Sequence, residues 1–209
     1  MTKARAAEPP AAAEAPARRG IEAVVIGASA GGVDALLALF AGLPAQWRLP
    51  MVVVIHLPEE HESRLVDVFA PRLPFPVLEA QDKAPVLPGR LYFAPTGYHL
   101  SIERDRSFSL SCEPPVLFSR PAIDLLMASA ADAYGPALAA VLLTGANEDG
   151  AAGLLRVRET GGLTVVQDPR EARIDTMPLA AMKLQRPDFV LTLHAIRALL
   201  LQLDAAHAH

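Results

Sequence analysis

The 209-residue chain is 52% hydrophobic and 20% charged, with a formal net charge of −4 and one cysteine. This balance leaves apolar residues enough for one core of ordinary size and excludes a disulfide scaffold, a thiolate metal cluster and a strongly basic nucleic-acid binder. No run of about eighteen apolar residues marks a membrane span and no apolar signal segment opens the chain, so a cytoplasmic protein that is not membrane-inserted is expected.

Residues 1–20, rich in Ala, Pro and Glu, read as a disordered leader, 21–204 as one folded domain and 205–209 as a frayed tail. The first strand, about 22–27, contains the β-branched run Val24-Val25-Ile26 and feeds Gly27-Ala28-Ser29-Ala30-Gly31-Gly32, after which 31–42 has the spacing of an amphipathic helix. A dinucleotide fingerprint requires glycine where Ser29 stands, and a phosphate loop requires a Gly-Lys-Ser/Thr ending that is absent. A flavodoxin-like phosphate binder therefore rests on the glycine turn alone. A serine between glycines at a strand-to-helix turn is exposed at the positive end of a helix, a setting that suits a nucleophile. Small residues also occur at such turns for packing.

The continuous apolar run Met51-Val52-Val53-Val54-Ile55 predicts a strand buried on both faces, and His56 ends it, as a base or as a simple cap. A helix over 60–71, with His61 near its start, and a strand at 76–79 follow. A hairpin is expected from 90–95, 98–103 and 107–112, carrying His99 and ending at Cys112, to which an unreactive structural role is assigned. After a helix at 121–134, the strand 139–144 ends in Thr144-Gly145-Ala146-Asn147-Glu148-Asp149-Gly150, and a helix spans 150–160. The strand 162–167 ends at Asp168; then come a helix at 177–183, a strand at 188–192 and a helix at 194–204 that starts at His194. His207 and His209 fall in the tail.

Alternating strands and helices predict an α/β fold: a doubly wound, mostly parallel, Rossmann-like sheet with helices on both faces and an antiparallel hairpin at one edge. Ligands of such sheets bind outside the carboxyl ends of the strands. Ser29, His56 and either Asp149 or Asp168 are therefore carried to one rim, and serine, imidazole and carboxylate are the parts of an acyl-transfer triad. His61 and His99 are weaker candidates for the base.

Gly27-Ala28-Ser29-Ala30-Gly31-Gly32, Val54-Ile55-His56-Leu57-Pro58, Ala94-Pro95-Thr96-Gly97-Tyr98-His99-Leu100, Arg120-Pro121-Ala122-Ile123-Asp124-Leu125-Leu126, Leu143 to Gly153, and Val166-Gln167-Asp168 with Met177-Pro178 resemble, in order and spacing, the catalytic domain of the chemotaxis receptor methylesterase (CheB) family. The resemblance covers about Ile21 to Leu203. It implies Ser29 as nucleophile, His56 as base and Asp149, rather than Asp168, as acid. It implies hydrolysis of glutamate γ-methyl esters on the cytoplasmic helices of a chemoreceptor-type protein, with glutamine deamidation as a related activity and with no metal or organic cofactor. Ala30 and Ala146 stand where the family usually has threonine and methionine, and Asn147 where it has glycine. An oxyanion hole built from the backbone N–H groups of Ala30 and Ala146 survives those changes, because its donors are main-chain atoms.

Two-domain members of the family carry a receiver domain ahead of the esterase, whereas twenty residues precede Ile21 here. The resemblance therefore implies a stand-alone, constitutively open form regulated by a separate partner, such as a cognate methyltransferase. A non-catalytic regulatory or docking domain that binds a methyltransferase or receptor is the alternative.

Overall fold

The computed structural model describes residues 20–56 and 64–207. The leader through Arg19, residues 57–63 with the expected helix start and His61, and Ala208-His209 lie outside the described residues.

Seven strands, β1 (Ala23–Ala28), β2 (Met51–Ile55), β3 (Val77–Glu79), β4 (Leu91–Phe93), β7 (Leu138–Leu142), β8 (Leu163–Gln167) and β9 (Phe189–Leu191), form one sheet in the order β3-β4-β2-β1-β7-β8-β9. Every pairing in it is parallel. The remaining strands, β5 (His99–Ile102) and β6 (Phe108–Ser111), pair antiparallel in a sheet of their own. The doubly wound α/β class is as expected, with two differences in detail: the antiparallel pair is separate from the large sheet rather than at its edge, and Leu91–Phe93 joins the large sheet between β2 and β3 instead of opening the hairpin. Its two neighbours bury Leu91, Tyr92 and Phe93 completely or nearly so, which outweighs local pairing across Pro95-Thr96-Gly97.

Side chains alternate between two cores because successive strand residues point to opposite faces. Val24, Ile26, Met51, Val53, Ala139 and Val141 face helices α1 (Gly32–Phe40), α2 (Leu65–Phe69) and α6 (Leu193–Ala206). Val25, Val52, Val54, Ala140 and Leu142 face α3 (Ile123–Tyr134), α4 (Ala151–Glu159), α5 (Thr176–Leu184) and the small sheet. The second helix ends at Phe69, before the expected 71, and passes into a 3₁₀ turn at Ala70–Arg72, where Pro71 supplies no backbone donor. The last helix runs two residues beyond the expected 204, and the His207 ring bonds the Ile21 carbonyl.

The winding reverses at β1, which pairs with β2 on one side and β7 on the other. Helices α3 and α4 pack closely on the β7 side because position 153 lacks a side chain: a β-carbon there would lie 2.7 Å from Met127 Cβ and 2.9 Å from the Asp124 backbone. The substitution Gly153→Ala gains about 1 kcal/mol of helix propensity, but crowding against the α3 backbone costs about 1–3 kcal/mol. Gly153→Ala is therefore expected to lower the urea midpoint, while Ala152→Ser on the exposed side leaves it nearly unchanged. Equal midpoints for Gly153→Ala and the parent would contradict this packing account.

Candidate active site

Three adjacent strands deliver the candidate residues. Ser29 follows β1, His56 follows β2, and the segment after β7 carries Asp149. The ladder continues past the strand ends: His56 N–H donates to the Ala28 carbonyl at 3.1 Å, and Ser29 N–H to the Thr144 carbonyl at 2.9 Å. The half-buried Ser29 is thus fixed between the other two. Gly31 takes φ 81° at the start of α1, a left-handed conformation that glycine adopts without strain.

Asp149 is fully buried. Its Oδ2 lies 2.8 Å from His56 Nε2 and accepts the Ile123 N–H at 2.7 Å, while Oδ1 accepts the Asp124 N–H at 2.9 Å. Ile123 and Asp124 open α3, which has no side-chain cap of its own. The carboxylate therefore caps this helix from a distant part of the chain and gains from its positive end. The arrangement is reciprocal: Asp124 Oδ1 accepts the N–H groups of Gly150 at 2.8 Å and Gly153 at 2.6 Å, capping α4.

Asp168 ends β8 but bonds the Arg170 guanidinium through both oxygens, at 2.6 to 3.1 Å, which holds its carboxyl down to about 2. Among the described residues no hydrogen bond or ion pair joins it to His56. Buried His99 is also committed: Nδ1 accepts the Ala122 N–H at 3.1 Å, so Nε2 donates to the Pro114 carbonyl at 3.1 Å. His194 meets Arg197 on the exposed side of α6. Cys112 is exposed rather than packed into the fold.

The backbone around Ser29 is nearly all engaged. Gly145 N–H donates to Ile174, and Gly32 N–H to Ser29. The Thr144 hydroxyl accepts the Ile174 N–H and lies 2.9 Å from the Ala30 carbonyl, joining the glycine turn to the loop before α5. Among the described residues, the N–H groups of Ala30 and Ala146 have no protein acceptor. A β-carbon at Gly145 would come within 2.4 Å of Met177 Cε and 3.0 Å of Ser29 Cβ, so glycine allows the rim to close around the serine.

Two participants escaped sequence reasoning. Ser119 Oγ lies 3.2 Å from His56 Nδ1, and Asn147 Nδ2 lies 3.5 Å from that hydroxyl. Among the described residues no hydrogen bond joins Ser29 Oγ to the imidazole. Ser119 ends a tight turn closed by paired Val116 and Ser119 backbone bonds, with Leu117 and Phe118 at φ 48° and 64°. Each such non-glycine residue costs roughly 1–2 kcal/mol, and strain of this kind gathers at functional sites. The turn leaves Phe118 fully exposed. Beside it a groove of about 710 Å³, lined by Leu117, Asp124, Glu148, Leu179, Lys183 and Leu184 among others, runs along α5. Among the described residues no cluster of three His, Cys, Asp or Glu side chains could hold a metal ion, and no helix is long and apolar enough to cross a membrane.

A family model described as CheB methylesterase matches residues 24–200. The chain is 42% identical over 183 residues to a protein of Leptospira interrogans, an alignment covering 88% of this chain and 95% of that one. It is also 42% identical over 179 residues to the protein-glutamate methylesterase/protein-glutamine glutaminase 1 of Hahella chejuensis, covering 84% of this chain and 49% of the relative, about half its length. The crystal structure of the Thermotoga maritima CheB methylesterase catalytic domain superposes with a TM-score of 0.81 at 31% identity, covering 88% of this chain and 98% of that one.

The reciprocal caps have a pH signature. Burial, aided by the neighbouring Asp149 charge, pushes the Asp124 carboxyl up to about 6 against the pull of its two amide donors. An unfolded-chain aspartate titrates near about 3.9. The folded chain thus binds this proton more tightly, and the stability contributed at Asp124 is greatest below about pH 4, falls as pH rises towards about 6 and is level above. The urea midpoint of Asp124→Asn is expected to decline less steeply than the parent's between pH 4 and 6. Parallel curves would contradict the assignment.

Proposed function

The chain belongs to the CheB methylesterase family, and from that premise we propose that it hydrolyses glutamate γ-methyl esters on a methylated chemoreceptor-type protein in the cytoplasm, with Ser29 as nucleophile, His56 as base and Asp149 as the acid that orients it. The observation that carries this reading is the 2.8 Å contact between His56 Nε2 and the buried Asp149 carboxylate, at the rim where β1 ends in Ser29. Asp149 accepts two backbone N–H groups; with it acting as acceptor to the ring as well, Nε2 carries the ring proton and Nδ1 is the basic nitrogen. Relative to the familiar serine-protease arrangement, the two ring nitrogens exchange roles.

In this mechanism the Ser29 Oγ–H proton passes to Nδ1 as Oγ attacks the ester carbonyl. The oxyanion develops against the Ala30 and Ala146 N–H groups, which no protein carbonyl occupies among the described residues. Collapse of the tetrahedral intermediate breaks the bond to the methoxy oxygen, and Nδ1 gives that oxygen its proton as it leaves, forming methanol. Water, deprotonated by Nδ1, then releases the glutamate carboxylate and restores Ser29. A glutamine side chain can follow the same route with ammonia as the leaving group, which supports deamidation as a second activity.

A macromolecular substrate is supported by the surface beside the site. Leu117, Phe118, Leu179 and Leu184 are exposed apolar side chains around the groove, and a helix presenting an apolar ridge would cover them.

Ser29→Ala is expected to abolish methanol release from a methylated receptor with little change in melting temperature, since a turn serine has little packing to lose. Asp149→Asn is expected to lower kcat on the order of 10³- to 10⁴-fold, as when a triad acid is neutralised, and Asp168→Asn far less. Turnover by Ser29→Ala, or the reverse order of the two aspartates, would overturn the assignment. Phe118→Asp is expected to raise KM for the receptor at least severalfold more than it alters kcat/KM for a small methyl ester; equal effects on both would remove the turn from substrate docking.

A further inference from the structure

With the imidazole neutral, the hydrogen bonds around His56 run in one consistent direction. With the Asp149 carboxylate as acceptor, a neutral ring donates from Nε2, and its Nδ1 lone pair faces the Ser119 hydroxyl at 3.2 Å. That hydroxyl must donate to Nδ1, and its oxygen in turn faces the Asn147 amide nitrogen, which can only donate. The relay runs from Asn147 to Ser119 to His56 to Asp149. Ser119 is held firmly: its N–H and carbonyl both bond Val116, at 2.8 and 3.1 Å, and the following Arg120 side chain reaches the Cys112 and Glu113 carbonyls. Asn147 is steadied by the Asp149 N–H, 3.3 Å from its Oδ1.

Nδ1 is also the atom that must take the Ser29 proton. We propose that Ser119 is a positioning residue for the His56 base: its hydroxyl holds the ring unprotonated and aimed, then yields Nδ1 to Ser29 Oγ when substrate binds. This rests on the Ser29, His56 and Asp149 reading above. A proton arriving at Nδ1 from solvent would place an N–H against the Ser119 hydroxyl hydrogen. The hydroxyl would have to turn away, although Asn147 already donates to its oxygen. A donor fixed on the neutral ring disfavours the charged one. Asp149 acts oppositely, favouring imidazolium from the other nitrogen. Asp124 lies behind it with its carboxylate on Gly150 and Gly153, Glu148 precedes it, and Glu59, Glu60, His61 and Glu62 follow His56 in the chain. Substitution at position 119 leaves all of these charges in place, so a comparison of variants isolates the hydroxyl.

The test is kcat/KM against pH from 5 to 9, by methanol release from a methyl-ester substrate, for the parent, Ser119→Ala and Ser119→Thr, together with NMR titration of the His56 ring protons in the same three proteins. One hydrogen bond of ordinary strength corresponds to roughly half a pH unit or somewhat more. The rising limb of Ser119→Ala is expected to move to higher pH by about that amount, with a plateau two- to tenfold lower, and the ring titration should move with it. Ser119→Thr, which keeps the hydroxyl, should restore both. An unmoved limb and ring titration in a folded Ser119→Ala protein would reduce Ser119 to packing and overturn the proposal. Loss of activity in Ser119→Ala at every pH while Ser29→Ala retains it would make Ser119 the nucleophile and overturn the triad as well. A parent that releases no methanol would overturn the proposed function, and the ring titration would still decide whether Ser119 acts on His56.

Discussion

The site and the packing around it depend on one buried carboxylate. Leaving Asp149 charged and fully enclosed would cost several kcal/mol without partners. Three donors offset that cost: two belong to the first turn of α3 and one to His56. The same group therefore ends the hydrogen-bond deficit of a helix start and orients an imidazole. Its neighbour Asp124 returns the arrangement by capping α4, whose N-terminal flank, Gly150, directly follows Asp149. Each helix places the carboxylate that caps the other, and Gly153 lets them approach closely enough to do so.

The parallel sheet gives that carboxylate something to act on. Because β1 lies between β2 and β7, Ser29 ends up between His56 and Asp149 although more than ninety residues separate the last two in sequence. The ladder bonds from His56 to Ala28 and from Ser29 to Thr144 fix the three strand ends at one height. The 168–176 loop braces the rim from the other side through Thr144, Gly145 and Ile174. A mobile surface loop would hold such a constellation less exactingly than strand ends of a buried sheet.

Elements with strong periodicity were legible from sequence alone: the buried runs of β1, β2, β7 and β8 and the glycine turn at Ser29 announce themselves in residue type and order. Strand ends and a topology rule carry His56 and either Asp149 or Asp168 to one rim, and the family resemblance favours Asp149. What stayed hidden depends on contacts between distant segments. Asp124 in a first helical turn reads as a complement to its own helix dipole, and nothing local says that it caps another helix. Ser119 lies in a loop with no repeating pattern, held by a turn whose central residues, Leu117 and Phe118, are poor predictors of positive φ. Leu91–Phe93 looked like half of a hairpin because β2 and β3, which bury it, are remote in the chain.

In the proposed mechanism Asp149 fixes the protonation pattern of His56, with Nε2 as donor and Nδ1 as base. A long-range ¹H–¹⁵N spectrum of the imidazole rings at alkaline pH, with His56 assigned by its disappearance in His56→Gln, reads that pattern directly. A protonated Nε2 and a bare Nδ1 are expected for His56. A proton on Nδ1, or rapid exchange between the two tautomers, would contradict it.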